Sequence, residues 1–208
     1  MGLRTEREAR RYYNKWSEYE SSSESAGYVT PMQFVESLAP YLGVRQKILD
    51  VGCGTGLVGN ELKRLGWRGT LIGVDIAENR LLEAVEKRIY AAGIQASAYL
   101  LPWKNNSFDA VISNEMVGLT GVRSVCEMYR VLKPGGYLAC VVVEFKNAKW
   151  SRARFRKICA YFRRLPKAKL LLRRNLGTGY LNTNYNDERR VLFLLRKKLI
   201  SKIKKSAE

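Results

Sequence analysis

Apolar side chains along this 208-residue chain follow two alternating rhythms. Short unbroken apolar runs alternate with stretches whose apolar residues recur every three to four positions. The first rhythm reads as buried parallel strands and the second as amphipathic helices. Strands are predicted at 47–51, 70–75, 95–100, 108–113 and 137–145, and helices at 57–65, 78–92 and 121–132. The helix at 78–92 would bury Leu81, Leu82, Val85 and Ile89. Lys133-Pro134-Gly135-Gly136 ends the third helix, because proline and glycine do not continue one, and launches the fifth strand. Such alternation predicts an α/β fold: a Rossmann-like, doubly wound, mostly parallel sheet with helices on both faces. Ligands then sit outside the strand C-termini.

The two ends of the chain read differently. Residues 3–20 are polar with an aromatic edge of Tyr12, Tyr13, Trp16 and Tyr19, which predicts a helix that docks on the body or closes over a ligand. A small polar link follows at 21–26, and Thr30-Pro31 then starts a second helix, with Thr as N-cap and Pro at N1. Phe34, Val35, Leu38 and Tyr41 form its apolar face. Beyond Phe145, residues 149–161 and 167–174 read as basic amphipathic helices split by Pro166. Residues 191–195 are apolar without a gap, and periodicity does not separate strand from helix in so short a run. A strand paired with 180–185 is favoured, because the sheet otherwise lacks its final hairpin and its full seven strands. The chain thus divides into a helical cap at 1–46, a core at 47–145 and a basic part at 146–208 that completes the fold.

Composition narrows the chemistry. The length suits one domain with a proper core. Four cysteines show no CxxC pair, no run approaches a membrane span, and the charged start lacks a signal-peptide core, so a cytoplasmic protein with reduced thiols is expected. Histidine is absent, which removes the commonest general base, the Ser-His and Cys-His pairs and every histidine-containing metal site; no metal is expected. The net charge of +18 is lopsided. Residues 1–144 hold 17 Lys/Arg against 16 Asp/Glu, whereas residues 145–208 hold 20 against 3. The basic character therefore belongs to a C-terminal surface.

Asp50-Val51-Gly52-Cys53-Gly54-Thr55-Gly56 carries the chemistry. A strand stops on an acid and breaks into alternate glycines, a loop that lets backbone N–H groups approach a polar ligand. Gly54, Gly56 and Gly59 also match the GxGxxG dinucleotide pattern with Asp75 downstream, so a nicotinamide enzyme is a competitor. A carboxylate at the strand tip would repel a pyrophosphate and attract an ammonium group. Asp50 thus points to a cofactor with a positive group, and Asp75 to ribose hydroxyls.

With these residues the chain resembles class I S-adenosylmethionine-dependent methyltransferases. Five segments match in order: ILDVGCGTG at 48–56, IGVDIAENRL at 72–81, LPWKNNSFDAVIS at 101–113, EMYRVLKPGG at 127–136 and YLACVVVE at 137–144. YYNKWSEYE at 12–20 resembles the tyrosine-rich cap of small-molecule members, and with GYVTP and CGTGLVG it is similar to the Williams–Beuren region methyltransferase-like branch. The resemblance implies S-adenosylmethionine as cofactor. Asp50 and Gly52 would hold its methionine end, with Gly54 and Gly56 admitting the backbone. Asp75 would take both ribose hydroxyls and Ile76 would pack on adenine. Ser97 and Ala98 would grip the adenine edge, although many relatives carry Asp where Ser97 stands. Asn114 would line the methionine end, and Tyr13 and Tyr19 would close from the cap.

Methyl transfer from a sulfonium is an in-line displacement that depends on positioning, and a base is needed only for a hydroxyl or a protonated amine. Glu115 and Glu144, just past strands four and five, are the candidate acids and bases, with Tyr19 beside them. The expected acceptor is a nitrogen or oxygen of a small or lipid-like molecule. The basic region at 146–205 leaves nucleic acid open as substrate, and equally an anionic membrane, since basic residues there alternate with Phe155, Ile158, Tyr161, Phe162 and Leu165. An NAD-dependent oxidoreductase and a non-catalytic binding module are more distant alternatives.

Overall fold

The computed structural model describes residues 6–15, 21, 23, 25–181 and 187–199. Those residues form one seven-stranded sheet of order β3-β2-β1-β4-β5-β7-β6. Its strands are β1 (Lys47–Val51), β2 (Thr70–Asp75), β3 (Ala92–Gln95), β4 (Phe108–Asn114), β5 (Leu132–Phe145), β6 (Ala168–Asn175) and β7 (Glu188–Lys197). Pairings from β3 to β5 are parallel, and β7 pairs antiparallel with both β5 and β6. The parallel body opens its strand C-termini to one edge, with the chain reversing between β1 and β4 to leave a crevice there.

Helices cover both faces. On one lie α2 (Thr30–Leu38), α3 (Leu57–Arg64) and α4 (Glu78–Glu86), where Phe34, Leu38, Leu62 and Leu81 meet Ile48, Ile112 and Leu194. The other face carries α5 (Met116–Thr120), α6 (Val122–Val131) and α7 (Lys149–Arg164), whose Val125, Met128, Ile158 and Phe162 pack on Leu49, Val111, Cys140 and Phe193. Helix α1 (Glu6–Lys15) buries no residue and lies against α4.

Several elements depart from the expectation. Residues 167–174 are not helical: β6 is the edge strand, with Leu170 on one core and Leu171 and Leu172 on the other across a register shift. That bulge breaks the period of two, so the run imitates helical spacing. The partner of β7 is therefore β6 rather than 180–185; Tyr180 forms an isolated bridge to Tyr28, and 182–186 lie outside the described residues. β3 ends at Gln95, because Leu100 N–H closes a turn onto the Ser97 carbonyl at 3.1 Å. α4 is shorter than 78–92 and buries Arg80, Leu81 and Ala84, leaving Leu82 56% exposed. Val29, not Thr30, is the N-cap of α2, and Thr30 Oγ1 caps nothing. Phe155, Ile158, Phe162 and Leu165 are all buried in the core, so α7 has no apolar face to insert into a bilayer. Among the described residues, no helix is long and apolar enough to cross a membrane.

Phe162 ties α7 to the sheet, its ring stacked 4.8 Å from that of Phe193. Phe162→Ala is expected to cost about 3–5 kcal/mol, as a buried aromatic leaves a cavity that relaxes only partly. A urea midpoint close to that of the parent would show that α7 contributes little to the fold.

Candidate active site

The glycine loop leaves β1 over a buried acid. Asp50 is fully inaccessible and accepts a hydrogen bond of 2.8 Å from the hydroxyl of Tyr90, itself 6% exposed. The ring of Tyr90 needs room, and three glycines provide it. A Cβ at Gly56 would stand 3.0 Å from the ring, one at Gly59 2.9 Å and one at Gly73 2.9 Å. Two glycines of the apparent dinucleotide pattern are thus packing positions. Gly52, with φ of 76°, would drive a Cβ to 2.7 Å from that of Met116. Gly54, with φ of 53°, has no neighbour within 4 Å of its Cβ direction, so its backbone faces open space.

That space is a cavity of about 580 Å³ at the strand C-termini, within the usual size of a ligand site. Asp75 stands on its wall and fastens the loop, Oδ2 accepting from Gly54 N–H at 2.9 Å and Oδ1 from Ala77 N–H at 2.8 Å. Burial pushes its carboxyl up, while the bonds from Ala77 and Gly54 pull it back. A carboxylate has about four acceptor sites, so two remain for ligand hydroxyls. Helix α1 roofs the cavity through Ala9, Tyr12 and Tyr13. Tyr13 carbonyl accepts from Arg80 Nε at 2.9 Å, and burial, with Tyr12 adding, pushes the Tyr13 phenol up to about 12. Ser97 Oγ donates to Glu6, fixing the other side of the roof.

At the far end, Glu115 adopts φ of 68°, a left-handed backbone uncommon for a residue with a side chain. Its Oε1 accepts from Tyr28 Oη at 2.6 Å and from Arg190 Nε at 2.6 Å. Arg190 is 2% exposed, stacks 4.9 Å over the ring of Tyr180 and forms a second ion pair of 2.7 Å with Glu188. Burial opposes its charge, yet Glu115 and then Glu188 hold it well above the ordinary guanidinium range. Tyr28 Oη in turn accepts from Asn114 Nδ2 at 2.9 Å, and Asn114 Oδ1 is left buried without a donor.

The sequence-derived residues therefore separate. Gly52, Gly54, Asp75, Ile76, Ala98, Asn114, Tyr13 and Glu115 come together on the cavity. Asp50 and Gly56 do not line it but lie beneath, with Tyr90, so any action of Asp50 on a ligand passes through the loop. Ser97 does not line the cavity between Ala96 and Ala98, and its hydroxyl bonds Glu6, which does. Glu144 is also outside: it pairs with Arg189 at 2.5 Å, while its neighbours Val143 and Phe145 face the cavity. Trp16 and Tyr19 lie outside the described residues. Tyr28, Tyr180, Glu188 and Arg190 were not foreseen, as nothing in their spacing links them; only the GYVTP segment drew notice near Tyr28.

These features suit an adenosyl amino acid: an open backbone at Gly54, a half-used carboxylate at Asp75 and an orphaned acceptor at Asn114. Residues 49–140 match the family model described as "Methyltransferase domain". Residues 49–140 thus carry the match to a methyltransferase domain, within a chain of class I methyltransferase fold. A demethylmenaquinone methyltransferase of Symbiobacterium thermophilum is 38% identical over 104 residues, 45% of this chain and 41% of that protein. An uncharacterized methyltransferase of Schizosaccharomyces pombe is 30% identical over 139 residues, 61% of this chain and 50% of its own length. The matches thus span about half the length of these curated relatives. Among solved structures, the [4+2]-cyclase SpnF aligns over 96% of this chain and 99% of its own, with TM-score 0.75 and 16% identity. Geranyl diphosphate C-methyltransferase of Streptomyces coelicolor A3(2) aligns over 95% and 100%, with TM-score 0.68 and 17% identity. At such identities these neighbours speak for the class I methyltransferase fold alone.

Complete burial pushes Asp50 up to about 7, with Tyr90 pulling down and Asp75 adding. The folded methyltransferase domain therefore holds more protons than the unfolded chain between about pH 4 and 7, and stability falls as pH rises through that window. Relative to Asp50→Asn, the parent is expected to lose up to about 4 kcal/mol across it, at about 1.4 kcal/mol per pKa unit. Parallel stability curves for the two proteins, measured by urea titration, would show that Asp50 carries no such shift.

Proposed function

We propose that the chain transfers the methyl group of S-adenosylmethionine to a nitrogen or oxygen of a small-molecule or lipid-like acceptor. The cofactor supplies an activated methyl group on a sulfonium, ready for in-line displacement. Gly54 gives backbone access, Asp75 holds the ribose hydroxyls, Ile76 and Ala98 flank the adenine, and Asn114 Oδ1 receives a donor at the methionine end. Tyr13 excludes water from above.

One observation carries the acceptor class. The far end of the cavity is bordered by the Tyr28–Tyr180 bridge, and apolar Met116, Leu119, Val143 and Phe145 share its wall with the Glu115–Arg190–Glu188 cluster and Asn114. A largely apolar cavity with a few convergent polar groups fits a small ligand. Relatives named for demethylmenaquinone support a small, lipid-like acceptor.

For a hydroxyl acceptor, Tyr28 and Glu115 supply the base. The acceptor proton passes to Tyr28 Oη as the Tyr28 proton moves to Glu115 Oε1, 2.6 Å away. Glu115 and Glu188 share one guanidinium, so the ionised trio holds one surplus negative charge. Uptake of one proton neutralises it and leaves the Arg190–Glu188 pair intact.

Asp75→Ala is expected to abolish measurable S-adenosylmethionine binding by calorimetry; unchanged affinity would sink the cofactor assignment. Tritiated methyl transfer into fractionated cell extract is expected to label the small-molecule or lipid fraction, whereas label in RNA or protein would overturn the acceptor class. Once the labelled acceptor is in hand, Tyr28→Phe should lower kcat by about 10²–10⁴-fold if it is a hydroxyl, with KM little changed.

A further inference from the structure

The C-terminal charge is concentrated on one face. Helix α7 has no acid in its 16 residues. Its exposed basic residues are Lys149, Arg152, Arg156, Lys157, Arg163 and Arg164. At about 100° per residue these fall within an arc of about 140°, opposite the buried Phe155, Ile158 and Phe162. Among the described residues, no carboxylate forms an ion pair with any of the six. Two further cations lie along the buried side of α7. The Arg173 guanidinium lies 5.9 Å from the ring of Phe193, which stacks on Phe162. Arg189 lies 4.8 Å over Phe155 and takes up Glu144, an acid only 7% exposed.

The helix that carries this stripe also borders the cavity. Phe145 at the end of β5 and Arg154 in the second turn of α7 both line it, and Arg189 pairs with Glu144 in register at the same end of the sheet. Beside the mouth, Leu181 follows the lining residue Tyr180 and is 72% exposed, while Tyr12 on the roof is 41% exposed.

We propose that this face docks the protein on an anionic lipid membrane, with the cavity mouth turned towards the bilayer surface. The proposal rests on the lipid-like acceptor reading. Since the apolar side of α7 belongs to the core, attachment is electrostatic and reversible, without helix insertion. Each basic residue near an anionic leaflet strengthens association by about fivefold. Six on a rigid stripe therefore suffice, and Leu181 adds shallow apolar contact beside the mouth. Nucleic acid offers phosphates too, but no aromatic of α7, β6 or β7 is exposed to stack a base. An exposed leucine at the mouth also has no use against a phosphate backbone.

Flotation of the full chain with vesicles tests this, comparing phosphatidylcholine alone with phosphatidylcholine plus phosphatidylserine at low and high salt. Binding is expected only with phosphatidylserine and only at low salt. Arg152→Glu combined with Arg156→Glu is expected to lower partitioning by at least about 30-fold, Lys149→Glu with Lys157→Glu by a similar factor, and Leu181→Asp by a few-fold. None of these positions lines the cavity, so S-adenosylmethionine affinity by calorimetry should stay at the parent value. Absent vesicle binding alongside intact cofactor binding would overturn the docking face alone. Equal binding to neutral vesicles, or binding to duplex RNA with none to vesicles, would overturn it as well. Loss of cofactor binding in the parent would instead strike the functional reading, which the vesicle measurement does not touch.

Discussion

The hydrogen bond from Tyr90 to Asp50 sets the terms for the ligand edge of the sheet. A carboxyl without solvent contact is costly to keep ionised, and among the described residues one hydroxyl is the only donor that reaches it. Holding that hydroxyl in place requires an aromatic ring directly under the loop, and the ring in turn requires Gly56, Gly59 and Gly73 around it. The loop above can then be short and open, with Gly54 presenting bare backbone and Asp75 clamping it from β2. A buried acid under an open loop is easier to ionise beside a ligand carrying positive charge. The same glycines that suggest a dinucleotide motif thus serve a buried acid.

A second constraint joins the ends of the chain. Tyr28 arrives from the segment before α2, Glu115 from the end of β4, and Glu188 and Arg190 from β7. The strained backbone at Glu115 is held by two short bonds to Oε1. Removing Arg190 would strand two carboxylates in a closed site, so the antiparallel hairpin is part of the cavity as well as of the sheet. Packing at Gly179, whose Cβ would strike Thr30 and Arg190, draws the two segments together.

Charge is handled in two ways in one molecule. On the cavity wall, Arg190 is matched by Glu115 and Glu188 and Arg80 lies near Asp75, while Arg154 bonds the Leu119 carbonyl. On the outer face of α7, no acid among the described residues pairs with the cations. Buried charge demands partners, whereas exposed charge is tolerated by water and remains available to another surface.

Much of the fold was legible because period and punctuation are local. Apolar runs ending in Asp50 and Asp75, the glycine loop and the proline–glycine stop at 134–136 define β1, β2, β5 and their helices without reference to anything distant. One wall of the cavity followed, since Gly52, Gly54, Asp75, Ile76, Ala98 and Asn114 sit at fixed offsets from strand ends. The hairpin was only half readable: 191–195 are apolar enough to be a strand, but a bulge at Leu170–Leu172 disguised its partner. Strand alternation decided that Glu144 turns away while Val143 and Phe145 face the cavity, and a register of two is invisible when both faces are buried. Sequence by itself determined the class of fold and which loop and strand-end residues line the cavity, because both depend on short-range pattern. Only the tertiary structure decided that Asp50 lies beneath the loop, that Tyr90 holds it, and that Tyr28, Glu115 and Arg190 meet. Those contacts span 40 to 87 residues along the chain, and no local pattern encodes a partner at that distance.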